Sequence, residues 1–355
     1  MRRGPEDRTL MLESYLRAMP KVELHVHLEG SIQPQLLLEL ARRNRVELPV
    51  TTAEDVEAWY RFTEFEHFLE IYFAISRCIC TPDDIELVAR AFLQGQAAQN
   101  IRYSEVIFTP HTHFSSNRRI PFHDQMAALG RAAEWASVEL GIGVGWVLDI
   151  SRNVRPVEHA MTVADWAIGA MKQGVVGFGV GGPEVGHPPE LFADAFVRAK
   201  SAGLASLPHA GETAGPASIW GAVDSLGADR IGHGVRCLED SSLVAMLRDR
   251  QIPLDVSPTS NVCLGVFASL EDHPLPRLIQ EGLCVTLNSD DPPMFNTTLT
   301  GEYLAAMRSM GLTIDVLEQL VQNAVAASLL PKAESGAMSL AFREECVELR
   351  ALHGL

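Results

Sequence analysis

The chain is 355 residues long, 47% hydrophobic and 21% charged, with 29 Lys plus Arg against 45 Asp plus Glu for a formal charge of −16. That length buries a sizeable core, as two domains or as one α/β barrel with insertions. So acidic a surface repels phosphate backbones and anionic lipid, which argues against nucleic acid and membrane as partners and leaves a neutral or cationic small molecule as the expected substrate.

Short apolar runs alternate with longer amphipathic stretches along the chain. The first strand is expected at 22–28 (VELHVHL). Roughly seventy residues follow before the second, including the long aromatic stretch 59–78 (WYRFTEFEHFLEIYFAISRC). The region 45–100 therefore reads as a helical insertion, either a lid over one mouth of the barrel or a plain extra pair of packed helices. A helix at 83–100 precedes the second strand, 102–110, and a helix at 133–141 precedes the third, 144–151. The fourth strand, 175–182, is followed by a helix at 189–203 and the fifth strand, 204–210. The sixth, 229–235, a helix at 238–251, and strands at 253–259 and 284–290 complete the pattern. Strands that alternate with helices and are nearly continuously apolar form a parallel sheet covered on both faces. Eight such units without a break predict a single (β/α)8 TIM barrel over 1–355. The open doubly wound sheet is the alternative, and the Gly-rich turn it would carry after the first strand is missing.

The six cysteines, Cys78, Cys80, Cys237, Cys263, Cys284 and Cys346, are too scattered in so large a chain for a disulfide framework. The Cys78–Cys80 pair lies in apolar helix-and-loop sequence and reads as core. The N-terminal stretch lacks the apolar core of a signal peptide, and no run is long and apolar enough to span a bilayer. A soluble cytoplasmic enzyme is the expectation; for or against a homo-oligomer the sequence offers no signal.

In a parallel barrel the site forms at the C-terminal ends of the strands, so metal-competent residues should gather there. They do. His25 and His27 stand two apart on the first strand and point to one side. His209 and Glu212 end the fifth, His233 the sixth, and Asp290 and Asp291 the eighth. His25, His27, His209 and Asp290 form an N/O set suited to one Zn2+ with a position left for water, which the metal would ionise near neutral pH. Only four lysines occur (Lys21, Lys172, Lys200, Lys332), none at the end of a middle strand, so a lysine-bridged pair of metals is disfavoured. Glu212, close to His209 yet outside the ligand set, is the expected general acid/base, with Asp291 and His233 orienting the nucleophile. Gly181 and Gly182 allow close backbone approach to a flat ligand. Ser260 and Asn261 read as turn and capping residues, His111 and His113 as a weaker H-x-H, and His187 as a surface-loop residue.

The segments KVELHVHLEGSI, VGFGVGGPE, HAGE, RIGHGV, SPTSN and LNSDDP together resemble the adenosine/adenine deaminase family of the amidohydrolase superfamily, on the bacterial branch near adenine deaminase and aminodeoxyfutalosine deaminase. The resemblance implies proton delivery from Glu212 to purine N1 and nucleophile steering onto C6 by His233. It also implies Asp291 at the nucleophile or N7, the Gly182 amide at N3, and Glu29 and His27 among the substrate contacts. Glu29 stands where animal-type adenosine deaminases carry an Asp that helps bind the ribose 5′-hydroxyl. The implied reaction is hydrolytic deamination of an aminopurine nucleoside, adenosine or 6-amino-6-deoxyfutalosine, with free adenine as the alternative. A barrel hydrolase of another bond, or a barrel that binds without catalysis, are the competing classes.

Overall fold

The computed structural model describes residues 5–115, 119–155 and 157–355. Eight parallel strands follow one another in chain order: β1 (Lys21–His27), β2 (Ile101–Phe108), β3 (Gly143–Ser151), β4 (Val175–Gly181), β5 (Ala205–Ala210), β6 (Ile231–His233), β7 (Leu254–Val256) and β8 (Val285–Leu287). The ring closes where the chain beyond β8 returns to β1: His27 donates its N–H to the Asp290 carbonyl at 2.9 Å, and the Asn288 Oδ1 accepts the N–H of Leu24 at 2.8 Å. The barrel is thus the one expected, built from strands buried on both faces.

β6 to β8 are shorter than their apolar runs suggested. Beyond them the backbone leaves the extended region, with His233 at φ 64° and Asp290 at φ 65°. Left-handed backbone at a non-glycine residue costs free energy and persists where the surroundings hold it. Here it aims both side chains into the mouth.

The lumen holds a small apolar plug of Ile107, Val147 and Leu207. Beside it Arg230, 2% exposed, pairs with Glu105 at 2.6 Å and Asp255 at 2.5 Å and donates to the Leu24 carbonyl. A buried guanidinium shared by two carboxylates is tolerated because its donors are satisfied; it ties β1, β2, β6 and β7 together below the site.

The aromatic stretch after β1 is two helices, Ala53–Trp59 and Phe65–Ser76. Thr52 caps the first in a capping box with Asp55. The helix Pro82–Ala97, started by a Thr81–Asp84 capping box, packs on the helix Phe122–Leu140 and on β2, as an outer-ring helix of the barrel does. Cys78 and Cys80 are buried free thiols, in keeping with the core reading. No helix among the described residues is long and apolar enough to cross a membrane.

Candidate active site

β1 delivers His25 and His27, β5 His209, and the turn after β8 Asp290. The Nε2 atoms of His27 and His209 face each other at 3.1 Å, and those of His25 and His27 each lie 3.4 Å from Asp290 Oδ1. All four donor atoms lie within 4.8 Å of one another. His209 Nδ1 is 3.0 Å from the Val180 carbonyl, an acceptor that places the ring proton on Nδ1 and leaves the Nε2 lone pair for the cluster. Burial, reinforced by neighbouring imidazoles, holds His209 neutral far below the usual histidine range, and burial takes His27 down to about 4. Burial opposes the Asp290 charge, but the His25 side chain 3.4 Å away and the imidazoles of His233 and His27 outweigh it and keep this carboxylate ionised. Ser260 Oγ donates to its other oxygen at 2.7 Å. His25 Nε2 is buried without a hydrogen-bond partner. Neutral imidazole nitrogens converging on one carboxylate, one of them orphaned, are the donor set of a zinc-type cation.

Glu212 lies beside this cluster, 5% exposed, with Oε1 3.7 Å from His233 Nε2. Burial, then the charges of Asp290 and Glu184, raise its pKa well above the carboxylate range and favour its protonated form. Its loop is fixed by Glu184, whose carboxylate accepts the N–H groups of Gly211, Glu212, Thr213 and Ala214 and the Ser218 hydroxyl. Arg152, buried, donates to the carbonyls of His209 and His187.

The orientation of His233 follows from a chain of donors. The Leu275 N–H donates to His273 Nδ1 at 3.2 Å, so the His273 proton sits on Nε2 and goes to Asn261 Oδ1 at 3.2 Å. The Asn261 amide then donates to His233 Nδ1 at 3.3 Å, leaving Nε2–H directed at Glu212 and Asp290. Asp291, buried beside Asp290, is pushed well above the carboxylate range by burial and by that neighbour, and its Oδ1 has no partner.

These groups line a pocket that encloses about 610 Å3 including its open mouth. Phe65, Phe68, Leu69, Tyr72 and Phe73 of the helix Phe65–Ser76 form an apolar wall over it; His27, Gly181 and Gly182 lie on the barrel side. Thr109, Thr112, Asp149 and Ser151, from the ends of β2 and β3, form a polar wall. Glu29, expected at the substrate, is fully buried behind the aromatic wall. Its carboxylate accepts the Thr109 N–H at 3.1 Å and the Tyr72 hydroxyl at 3.4 Å and pairs with His113 Nε2 at 3.0 Å, so it meets the pocket through the lining residues Thr109 and Tyr72. His113 thereby has a structural partner, and His111 packs against His159 and Trp166 outside the pocket. Sequence reading missed Glu184, Arg152 and His273 and took Ser260 and Asn261 for turn residues. It also passed over Asp149, an acid at a strand end that the rule applied to β8 would have flagged.

Fold and site together define a (β/α)8-barrel hydrolase with a His/Asp metal-binding cluster. The chain belongs to the adenosine deaminase family, whose profile matches residues 20–341, and is a hydrolytic deaminase acting on C–N bonds. It is 40% identical to an aminodeoxyfutalosine deaminase of Streptomyces avermitilis over 91% of this chain and 90% of that one. It is 38% identical to an adenine deaminase of Hahella chejuensis over 91% and 96%. Among solved structures, the adenine deaminase from Arthrobacter aurescens aligns with TM-score 0.87 at 33% identity over 93% and 99% of the two chains. An amidohydrolase from Burkholderia ambifaria with bound Zn aligns with TM-score 0.90 at 27% identity over 97% and 95%.

Proposed function

We propose that this protein deaminates a 6-aminopurine nucleoside, adenosine or 6-amino-6-deoxyfutalosine, to the 6-oxo product and ammonia. The observation that carries the reading is geometric: a buried carboxyl, Glu212, that is outside a four-donor His/Asp cluster but beside it, in a pocket with an aromatic wall. His25, His27, His209 and Asp290 would hold one zinc ion. Bound there, zinc would supply Lewis-acid activation of a water near neutral pH.

The chain's own groups do the rest. Glu212 gives its proton to purine N1, which draws electrons away from C6 and opens it to attack. His233, its Nε2–H presented by Asn261, orients the attacking water with Asp291. Protonated Asp291 can donate to N7, an acceptor, and the Gly182 N–H can donate to N3. The amino nitrogen leaves as ammonia once it has taken a proton, and the ring keeps oxygen at C6. The aromatic wall excludes bulk water and lies against the base. Relatives named adenine deaminase at 38% identity support free adenine as the second reading.

The test is a panel of adenine, adenosine, 2′-deoxyadenosine and aminodeoxyfutalosine, compared by kcat/KM from the loss of the adenine absorbance band. A nucleoside should lead. No spectral change with any member sinks the proposal, and a lead for adenine moves it to the second reading. Glu212→Gln should lower kcat by about 10^2- to 10^4-fold, the range for a general acid, while zinc content stays at one per chain.

A further inference from the structure

The groups that handle C6 come from β1, β5, β6 and β8. The side of the pocket formed by the ends of β2 and β3 is also polar, and the deamination chemistry leaves it without a task. Asp149, 3% exposed at the end of β3, accepts the Thr109 hydroxyl on Oδ1 at 2.6 Å. Its Oδ2 has no hydrogen-bond partner among the described residues. That oxygen lies against Gly181, 3.2 Å from where a Cβ would stand, so a side chain at 181 would crowd it. Asp149 lines the pocket, so this unengaged oxygen is available to a ligand's donor. Thr112 and Ser151 continue the polar strip outward to the pocket's more exposed rim.

We propose that Asp149, oriented by Thr109, accepts a hydroxyl of the sugar on purine N9, which makes this site selective for nucleosides over the free base. The inference rests on the reading of the pocket as an aminopurine site. With C6 and N1 turned to Glu212 and N3 to Gly182, the N9 side of the ring faces the ends of β3 and β4, where Asp149 sits. A carboxyl oxygen matches an O–H donor. A free base offers this wall a single ring N–H, whereas a polyhydroxylated sugar can engage Asp149 together with Thr112, Ser151 being already engaged with Asn153 at 2.7 Å.

Four substrates test this on the wild-type holoenzyme: adenosine, 9-methyladenine, which has neither sugar nor N9–H, and the 2′- and 3′-deoxyadenosines as a pair. Adenosine should exceed 9-methyladenine in kcat/KM, and loss of one of the two hydroxyls should cost about 10-fold, the scale of leaving one buried hydrogen-bonding group unsatisfied. In Asp149→Ala the adenosine to 9-methyladenine ratio should fall by at least about 10-fold, and the deoxy penalty should shrink with it. Asp149→Asn, which keeps the shape, should show the same trend more weakly and serves if the alanine variant does not fold. Equal turnover of adenosine and 9-methyladenine, an unchanged ratio in the variants, or a larger loss on adenine than on adenosine overturns the proposal while leaving deamination intact. Absence of turnover on every aminopurine would overturn the parent reading as well.

Discussion

The Glu184 carboxylate accepts the backbone N–H of Glu212 at 2.8 Å, so one acid holds another in place. The same Glu184 oxygen takes the N–H groups of Thr213 and Ala214, and its partner oxygen that of Gly211. Burial opposes the Glu184 charge, but the Ser218 hydroxyl, Arg152 and these amides keep it ionised, below the usual carboxylate range. That fixed charge in turn helps raise Glu212.

Glu184→Gln follows directly. The amide can satisfy only some of four N–H donors and removes the neighbouring charge. Stability should drop by about 1–3 kcal/mol, the cost of unpaired buried donors, seen as a lower Tm. The pH profile should change as well. Glu212 acts protonated, so activity falls as pH rises through its pKa; without Glu184's charge that pKa drops, and the alkaline limb of kcat should move to lower pH. An alkaline limb that stays in place, with a normal amount of folded protein, would remove Glu184 from any control of Glu212.

His273 should matter although it touches no substrate-facing atom. It positions His233 through Asn261, and the donor order begins at the Leu275 N–H. His273→Ala frees the Asn261 amide to turn over and His233 to take the wrong tautomer. The expected result is a fall of kcat by about 10-fold or more, the scale of a misoriented acid–base group, with little change in KM. His273→Gln, which can still donate to Asn261 Oδ1, should recover part of it. Equal loss in both variants would reduce His273 to a packing role.

How much of this was legible differs between fold and site for a physical reason. The strands were readable because a parallel barrel buries both faces, so β1 to β5 appear as apolar runs. The metal-competent residues were readable because the fold gathers strand ends. The partners of Glu29 were not legible because the short turn Glu29–Ser31 swings it inward to His113, 84 residues away, which periodicity does not encode. His273 and Glu184 escaped for the same reason: their work is done through loops, and a carboxylate that gathers N–H groups has no spacing signature. The ends of β6 and β8 were overrun because the positive φ at His233 and Asp290 is set by the assembled site; at β8 no glycine announces it, and at β6 the signal of Gly234, itself at φ 67°, was passed over.

Gly30 is a steric requirement. A Cβ at this position would stand 1.6 Å from Asp291 Oδ1, in a backbone conformation that any residue could adopt. Gly30→Ala should therefore fold, with Asp291 displaced from the pocket. A loss of kcat/KM of at least about 10-fold is expected, the size of one lost hydrogen bond to the reacting ring or water, with zinc content retained because the four donor atoms do not include Asp291. Loss of zinc together with activity would show that the shift propagates to Asp290 and would separate this effect from the one argued.

Removal of metal should destabilise the barrel as well as silence it. The cluster joins β1, β5 and the end of β8, and without a cation it leaves His25 Nε2 buried with no partner and two imidazole nitrogens face to face at 3.1 Å. A ligand bound only by the native state adds RT ln(1 + [L]/Kd), about 4 kcal/mol at a thousandfold excess over Kd. Chelation should therefore lower Tm by several degrees, and zinc should restore it while magnesium, which prefers an all-oxygen shell, should not. His209→Ala should bring the untreated protein down to the chelated value and make it insensitive to added zinc. A variant that still gained Tm on zinc addition would place the stabilising ion elsewhere than on these four donors.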